Sequence, residues 1–241
     1  MNVWGITDTG AVRQQNQDAY RIETDGPAGP FVVVCDGMGG AKAGNIASKL
    51  AVEAFSAFLT DFEAQEPQEP ENALSHAVGA ANEAVCARAT VDAECTGMGT
   101  TLVAALVKPD VAHLVNVGDS RAYYMTGGGI SKVTRDHSLV EDLVLKGEIT
   151  PEEARQHPQK NLITRALGAE ETINADFYRL DYKEGDFLLL CTDGLSNVIT
   201  DQELLYETVH GGPPAQCCER LLKMALSRGA PDNVTVVLIE L

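Results

Sequence analysis

Positive charge is scarce in this chain: 18 Lys and Arg stand against 35 Asp and Glu, for a formal net charge of −17. Nucleic-acid binding rests on Lys and Arg displacing counterions from phosphates, so nucleic acid is not an expected partner. Long apolar runs are also missing. No stretch reaches the roughly 18 apolar residues of a membrane span, and the start has neither the basic nor the apolar block of a signal peptide. The expectation is a cytoplasmic protein with no membrane partner. The six cysteines (Cys35, Cys86, Cys95, Cys191, Cys217, Cys218) include no pair of Cys-x-x-Cys motifs and sit largely within apolar runs, as reduced core thiols do. The five histidines (His76, His113, His137, His157, His210) show no ligand spacing, which argues against zinc. His137, in RDHS, is the one placed to lie near a site.

What remains is enough for a substantial core. A length of 241 residues with 44% hydrophobic content suits one domain spanning 1–241, although length alone also admits two small ones. Apolar segments begin almost at Met1 and run to Glu240-Leu241, so no appended tail is expected.

Five short apolar runs read as strands buried on both faces: Phe31 to Cys35, Leu102 to Val107, Val111 to Val117, Phe187 to Cys191 and Val234 to Ile239. Between them Ile46, Ala47, Leu50, Ala51, Ala54, Phe55, Phe58 and Leu59 keep a helical repeat. Leu74 to Val85 and Cys218 to Ala225 carry similar stripes. Lys108-Pro109-Asp110 is too short for a parallel crossover and predicts an antiparallel hairpin, with a second turning at Gly127-Gly128-Gly129. Antiparallel strands apolar on both faces need a layer on each side. The expected fold is therefore α+β, with two packed antiparallel sheets flanked by helices. The Pro- and acid-rich stretch from Asp61 to Glu71 reads as a helix-to-helix loop.

Four aspartates fall at the ends of those strands: Asp36, Asp119, Asp193 and Asp232. Beside glycine, any one of them is ordinarily a turn residue. Together they are more than turns require, and a rim of carboxylates without cations would repel itself. All-oxygen ligation favours Mg²⁺ or Mn²⁺. The N-terminal segment adds Asp8, Arg13, Asn16 and Asp18. The fork of Arg13 suits two phosphate oxygens, although a solvated surface arginine is the alternative.

Seven motifs in order carry a resemblance: GxxRxxNQD (Gly10 to Asp18), VVCDGMGG (Val33 to Gly40), GMGTTLVAA (Gly97 to Ala105), NVGDSRAY (Asn116 to Tyr123), TRDHSLV (Thr134 to Val140), LLLCTDGLSN (Leu188 to Asn197) and DNVTVV (Asp232 to Val237). Over essentially its whole length the chain resembles the PPM, or protein phosphatase 2C, family of metal-dependent protein serine/threonine phosphatases, the bacterial members in particular. The resemblance implies a four-layer αββα sandwich with a metal site at one end. It implies that Asp36 bridges two Mn²⁺ or Mg²⁺ ions, that the carbonyl of Gly37 binds one, and that Asp193 and Asp232 complete the other. Asp18 would act through metal-bound water, Asp119 with Asp193 would hold the third ion of some bacterial members, and Arg13 would bind phosphate. Water bridging two cations would be the nucleophile. None of the cysteines is followed six residues later by arginine, so the loop of a thiol phosphatase is absent.

One departure stands out: many eukaryotic members carry histidine where this chain has Met38, which leaves the proton donor unassigned. Residues from about 137 to 168 match the family's flap, with a helix start at Thr150-Pro151. Arg135, Lys160 and Arg165 there meet either a phosphoprotein or solvent, solvent being the plainer reading. The implied partners are phosphoprotein substrates, including a serine/threonine protein kinase, and a monomer is expected. A phosphatase acting on an anti-sigma antagonist ranks second, since such members usually carry sensor modules. A non-catalytic phosphoprotein binder and a two-metal nuclease are further alternatives, the last disfavoured by charge.

Overall fold

Alternation inside the apolar runs decides how the layers stack. A computed structural model describes residues 1–61 and 69–241. One sheet has the order β2 (Asp18–Glu23), β3 (Phe31–Met38), β5 (Leu102–Lys108), β6 (Val111–Val117), β9 (Asp176–Asp181), with the two-residue β4 (Gly99–Thr100) pairing the end of β3. The other has the order β1 (Asn2–Asp8), β11 (Val234–Glu240), β10 (Phe187–Cys191), β7 (Arg121–Thr126), β8 (Gly129–Lys132). Each of these strand pairs is antiparallel.

Within β3, Phe31, Val33 and Cys35 pack under the helices α1 (Gly40–Thr60) and α2 (Pro70–Val91), while Val32 and Val34 face the other sheet. Within β10, Leu188 and Leu190 face inward, and Leu189 and Cys191 meet α7 (Pro214–Ser227). Each fully buried Leu contributes about 2 kcal/mol from removal of apolar surface from water. The result is the expected sandwich: α1 and α2, sheet, sheet, then α7 with α6 (Asp201–His210).

Both expected hairpins form. Lys108 pairs with Val111, with Asp110 taking a left-handed conformation in the turn, and Thr126 pairs with Gly129. Of the stretch read as a loop, Asp61 to Glu71, residues 62–68 lie outside the described residues; α1 closes at Thr60 before them and α2 opens at Pro70 after them. The half-exposed strands β1, β2 and β9 and helix α6 fall outside the runs and stripes that the sequence pattern marks, although the Thr200/Glu203 capping box of α6 is written in the sequence. All six cysteines are free thiols and five are buried.

Between β8 and β9 the chain forms α3 (Leu139–Leu145) and α4 (Pro151–Gln156), neither of which buries a residue; Thr150 caps α4 as its sequence predicts. The base of this segment is pinned by Leu139 N–H donating to the Leu162 carbonyl and Thr164 N–H to that of His137. Its return is held by Asn82, a buried polar residue in the apolar stripe of α2. The Asn82 amide donates to the carbonyls of Glu170 (2.9 Å) and Glu171 (3.1 Å) and accepts the Gly168 N–H (2.8 Å). Gly168 sits at φ +85°, where a Cβ would strike Val85. Asn82→Leu strands these groups and is expected to cost about 2 kcal/mol, read as a lower urea midpoint with unchanged slope.

Candidate active site

Register brings the acids together. Asp18 on β2 and Asp36 on β3 are direct antiparallel partners, an arrangement that like charges disfavour. Asp36 lies inside β3, which continues to Met38, beyond the end expected at Cys35. Its N–H donates to Thr101 Oγ1 (2.9 Å), and its carbonyl accepts from Thr101 N–H and Thr100 Oγ1 (2.9 Å each). Gly37 follows, where a Cβ would collide with the Gly44 carbonyl of α1, so only glycine fits that approach. Asp119 leaves β6 through Gly118, Asp193 opens the short helix α5 (Asp193–Ser196) after β10, and Asp232 precedes β11.

These residues share one cavity of about 480 Å³, lined by Arg13, Asp36, Gly37, Asp119, Asp193 and Asp232 among others. Asn161 and Ile163, from the segment between β8 and β9, also line it. Asp18 lies behind them. Its Oδ2 accepts from Thr192 Oγ1 (2.9 Å) and Thr235 Oγ1 (2.6 Å), both on the opposite sheet side, so this carboxyl bridges the two sheets.

Burial, reinforced by the neighbouring acids, pushes the Asp18 and Asp119 carboxyls up to about 7 and Asp193 up to about 6. Asp36 is pushed well above the usual carboxylate range, chiefly by burial and then by Asp18 and Asp193. The compensating charge on the protein side is small. Arg121 is spent on Asp136, which it holds in a fork (Nη2 to Oδ2 2.6 Å), although its field still lowers Asp119 and Asp193. Arg13 is half exposed and pairs with Asp232 Oδ2 at 2.7 Å. A pair so exposed contributes little to stability, which leaves the guanidinium available for other anions.

The donor set fits hard divalent cations. Each of the acids offered is a carboxylate, and among the described residues the buried Asp18 Oδ1 and Asp193 Oδ1 have no hydrogen-bond partner. Among the described residues no three such side chains converge tightly enough to hold an ion as they stand. Asp232 is turned toward Arg13 and its other oxygen accepts the Asn233 N–H.

Sequence reading missed several supports. Asn233 accepts the Gln17 N–H and donates to the carbonyls of Thr9 and Gln15, which pins the loop carrying Arg13 beside Asp232. Thr192, Thr235 and Asn233 all stand inside the quoted motifs, but nothing in a linear motif separates a support from a ligand. Asp8 accepts the Gly10 N–H and Asn16 donates to Thr7, so both shape the loop. Arg135 and Arg165 both reach Asp176 (3.6 and 2.9 Å), which makes them ion-pair members rather than free cations.

Comparison with known proteins decides the family. The protein phosphatase 2C family model matches residues 10–227. The chain belongs to that family. The serine/threonine phosphatase stp of Listeria innocua is 36% identical over 235 residues, 97% of this chain and 93% of that protein. The crystal structure of serine/threonine phosphatase Stp1 from Staphylococcus aureus superposes with a TM-score of 0.91 at 38% identity, covering 99% of this chain and 94% of that one. The catalytic domain of PstP, solved in complex with two manganese ions, superposes with a TM-score of 0.85 at 36% identity over 98% of this chain and 96% of that one. The activity of this chain is accordingly that of a serine/threonine protein phosphatase. A protein phosphatase acts on phosphoproteins, and its fold here is the one shared by those solved phosphatases.

Proposed function

We propose that the cavity is a two-metal centre for hydrolysis of phosphoserine and phosphothreonine in proteins, with Asp36, the Gly37 carbonyl, Asp193 and Asp232 holding two Mn²⁺ or Mg²⁺ ions. The observation that carries this is a cluster of acids at one cavity, Asp36, Asp119, Asp193 and Asp232 lining it with Asp18 behind, in which Asp18 and Asp193 each keep a buried oxygen with no hydrogen-bond partner among the described residues and in which the carboxyls of Asp18, Asp36, Asp119 and Asp193 are pushed up by burial and by one another. Such a site is short of positive charge. When bound, two divalent ions supply Lewis-acid stabilisation of phosphoryl oxygens and a water acidic enough to act at neutral pH. Asp18 stands behind the pair, oriented by Thr192 and Thr235. Asp119 with Asp193 is the position for a third ion. Arg13, held at the rim by the loop that Asn233 pins, orients the phosphoryl group through its planar fork.

Release of phosphate from a phosphothreonine peptide by the purified chain is expected to require Mn²⁺ or Mg²⁺; full activity in excess chelator sinks the reading. Arg13→Ala is expected to lower kcat/KM for that peptide about 10- to 100-fold, mostly through KM. Arg13→Lys should recover only part of it, and calorimetric Mn²⁺ binding should persist in both. An Arg13→Ala enzyme with unchanged KM would remove the assigned role.

We further propose that residues 1–241 act as one phosphatase unit in which residues 137–168 form a flap; supporting this, Asn161 and Ile163 reach the cavity while α3 and α4 bury nothing. Phosphoserine and phosphothreonine on proteins arise by kinase transfer, so the partner reaction is a serine/threonine protein kinase, itself included among the substrates. The unit works as a monomer in the cytoplasm, and among the described residues no helix is long and apolar enough to cross a membrane. Light scattering of the purified chain tests the first of these.

A further inference from the structure

His137 is buried, carries a titratable ring and does not line the cavity. Its Nδ1 accepts the Gly118 N–H at 3.1 Å, and its own backbone N–H donates to the Gly118 carbonyl at 2.9 Å. Nε2 lies 3.3 Å from Asp176 Oδ2 and 3.1 Å from Arg165 Nη1. A ring nitrogen that accepts a hydrogen bond carries no proton, so the proton of the neutral imidazole is on Nε2 and Asp176 accepts it. Arg165 donates to the other oxygen of the same carboxylate at 2.9 Å, which holds guanidinium and ring side by side.

Gly118 is the residue just before Asp119. It turns at φ +101°, and a Cβ there would press on Thr101. Its carbonyl is gripped a second time by Asn116 Nδ2 at 3.1 Å. The imidazole is the only described partner of the Gly118 N–H, in a buried setting where water is no substitute. His137 also accepts the Thr164 N–H on its own carbonyl (2.8 Å), at the base of the segment that reaches the cavity through Asn161 and Ile163.

We propose that His137 is a positioning residue: as the Nε2–H tautomer it locks the Gly118 turn, and thereby fixes how Asp119 is presented to the cavity while tying that turn to the base of the neighbouring segment. The proposal rests on the reading of Asp119 as part of the metal site. Asn116 and the backbone bonds to His137 hold the carbonyl side of the turn. Among the described residues the ring alone holds its N–H side.

The test uses the full chain. His137→Leu, similar in bulk and without an acceptor, is expected to lower kcat on a phosphothreonine peptide about 10- to 100-fold with KM changed less than about threefold. Amide exchange at Gly118 is expected to quicken at least about tenfold while the β5 amides stay protected. His137→Asn, whose Oδ1 can take the Gly118 N–H, recovers most of both. Nitrogen-15 spectra of the wild-type imidazoles should show His137 as the Nε2–H tautomer. A folded Leu variant with wild-type kcat, an Asn variant no better than Leu, or an Nδ1–H tautomer overturns the proposal. Should the Leu variant fail to fold, the Asn variant and the wild-type spectrum still decide. Exchange and spectra need neither metal nor turnover, so an inactive wild-type chain would count against the metal reading and leave this one to its own measurements.

Discussion

Asp36→Asn is expected to lower kcat/KM on a phosphothreonine peptide by at least about 1000-fold, because it removes a carboxylate around which the whole cluster is arranged. Asp36 is the direct strand partner of Asp18 and feels Asp193, Asp119 and Asp232 as well. Its backbone is fixed on both sides by Thr100 and Thr101, so the amide side chain lands where the carboxylate was. Asparagine keeps the shape and one oxygen but not the charge that two divalent cations require. The same change relieves repulsion in the metal-free protein. In chelator the variant is expected to unfold at a higher temperature than the parent, while calorimetry with Mn²⁺ shows weakened binding. Lost activity accompanied by a lower unfolding temperature in chelator would point to a folding defect and sink the assignment. So would retained activity.

In chelator, thermal stability is expected to fall as pH rises from about 4 to about 7. The folded-state pKa values of Asp18, Asp36, Asp119 and Asp193 all lie above that of a carboxyl in the unfolded chain. Across that window the folded state holds protons that the unfolded state has already lost, so each added pH unit favours unfolding. Below about 4 both states are protonated and the effect vanishes; above about 7 it is complete. The imidazoles of half-buried His113 and buried His137, pushed down chiefly by loss of solvent, pull the other way below about 6.5, two groups against four. Because the carboxyls charge in competition with one another, the total comes to a few kcal/mol, about 10 °C in the midpoint for a chain of this size. Saturating Mn²⁺ at pH ~7.5 should restore the loss, since an ion held at about 100 times its Kd contributes about 2.7 kcal/mol. A midpoint that stays level or climbs between pH ~4 and ~7 in chelator would show that these acids are not buried against one another.

Much of this was legible in one dimension. The runs that became β3, β5, β6, β10 and β11 announce themselves because burial on both faces demands unbroken apolar residues, and α1 because its stripe keeps helical spacing over several turns. The weaker strands did not. Half of β1, β2 and β9 faces solvent or an edge, so their residues carry a diluted pattern that tertiary pairing completes.

The candidate site divides in the same way. Asp36, Asp119, Asp193 and Asp232 were visible as acids repeated at strand ends, and the ordered motifs marked Arg13 and Asp18 as their companions. Their supports were not: Thr192 and Thr235 reach Asp18 from the other sheet, and Asn82 reaches Gly168 from the outer helix layer. A hydrogen bond between residues far apart in the chain leaves no periodic trace.

By itself, then, the order of residues determined the layers, the hairpins, the family and the kind of chemistry, because strand burial, turn length and carboxylate chemistry are local properties. Only the tertiary structure decided that Asp18 faces Asp36, that Arg13 rests on Asp232, and that His137 holds the turn before Asp119. Those depend on register between strands and on which side chain happens to fill the space across a sheet, quantities that exist only once the chain has closed on itself.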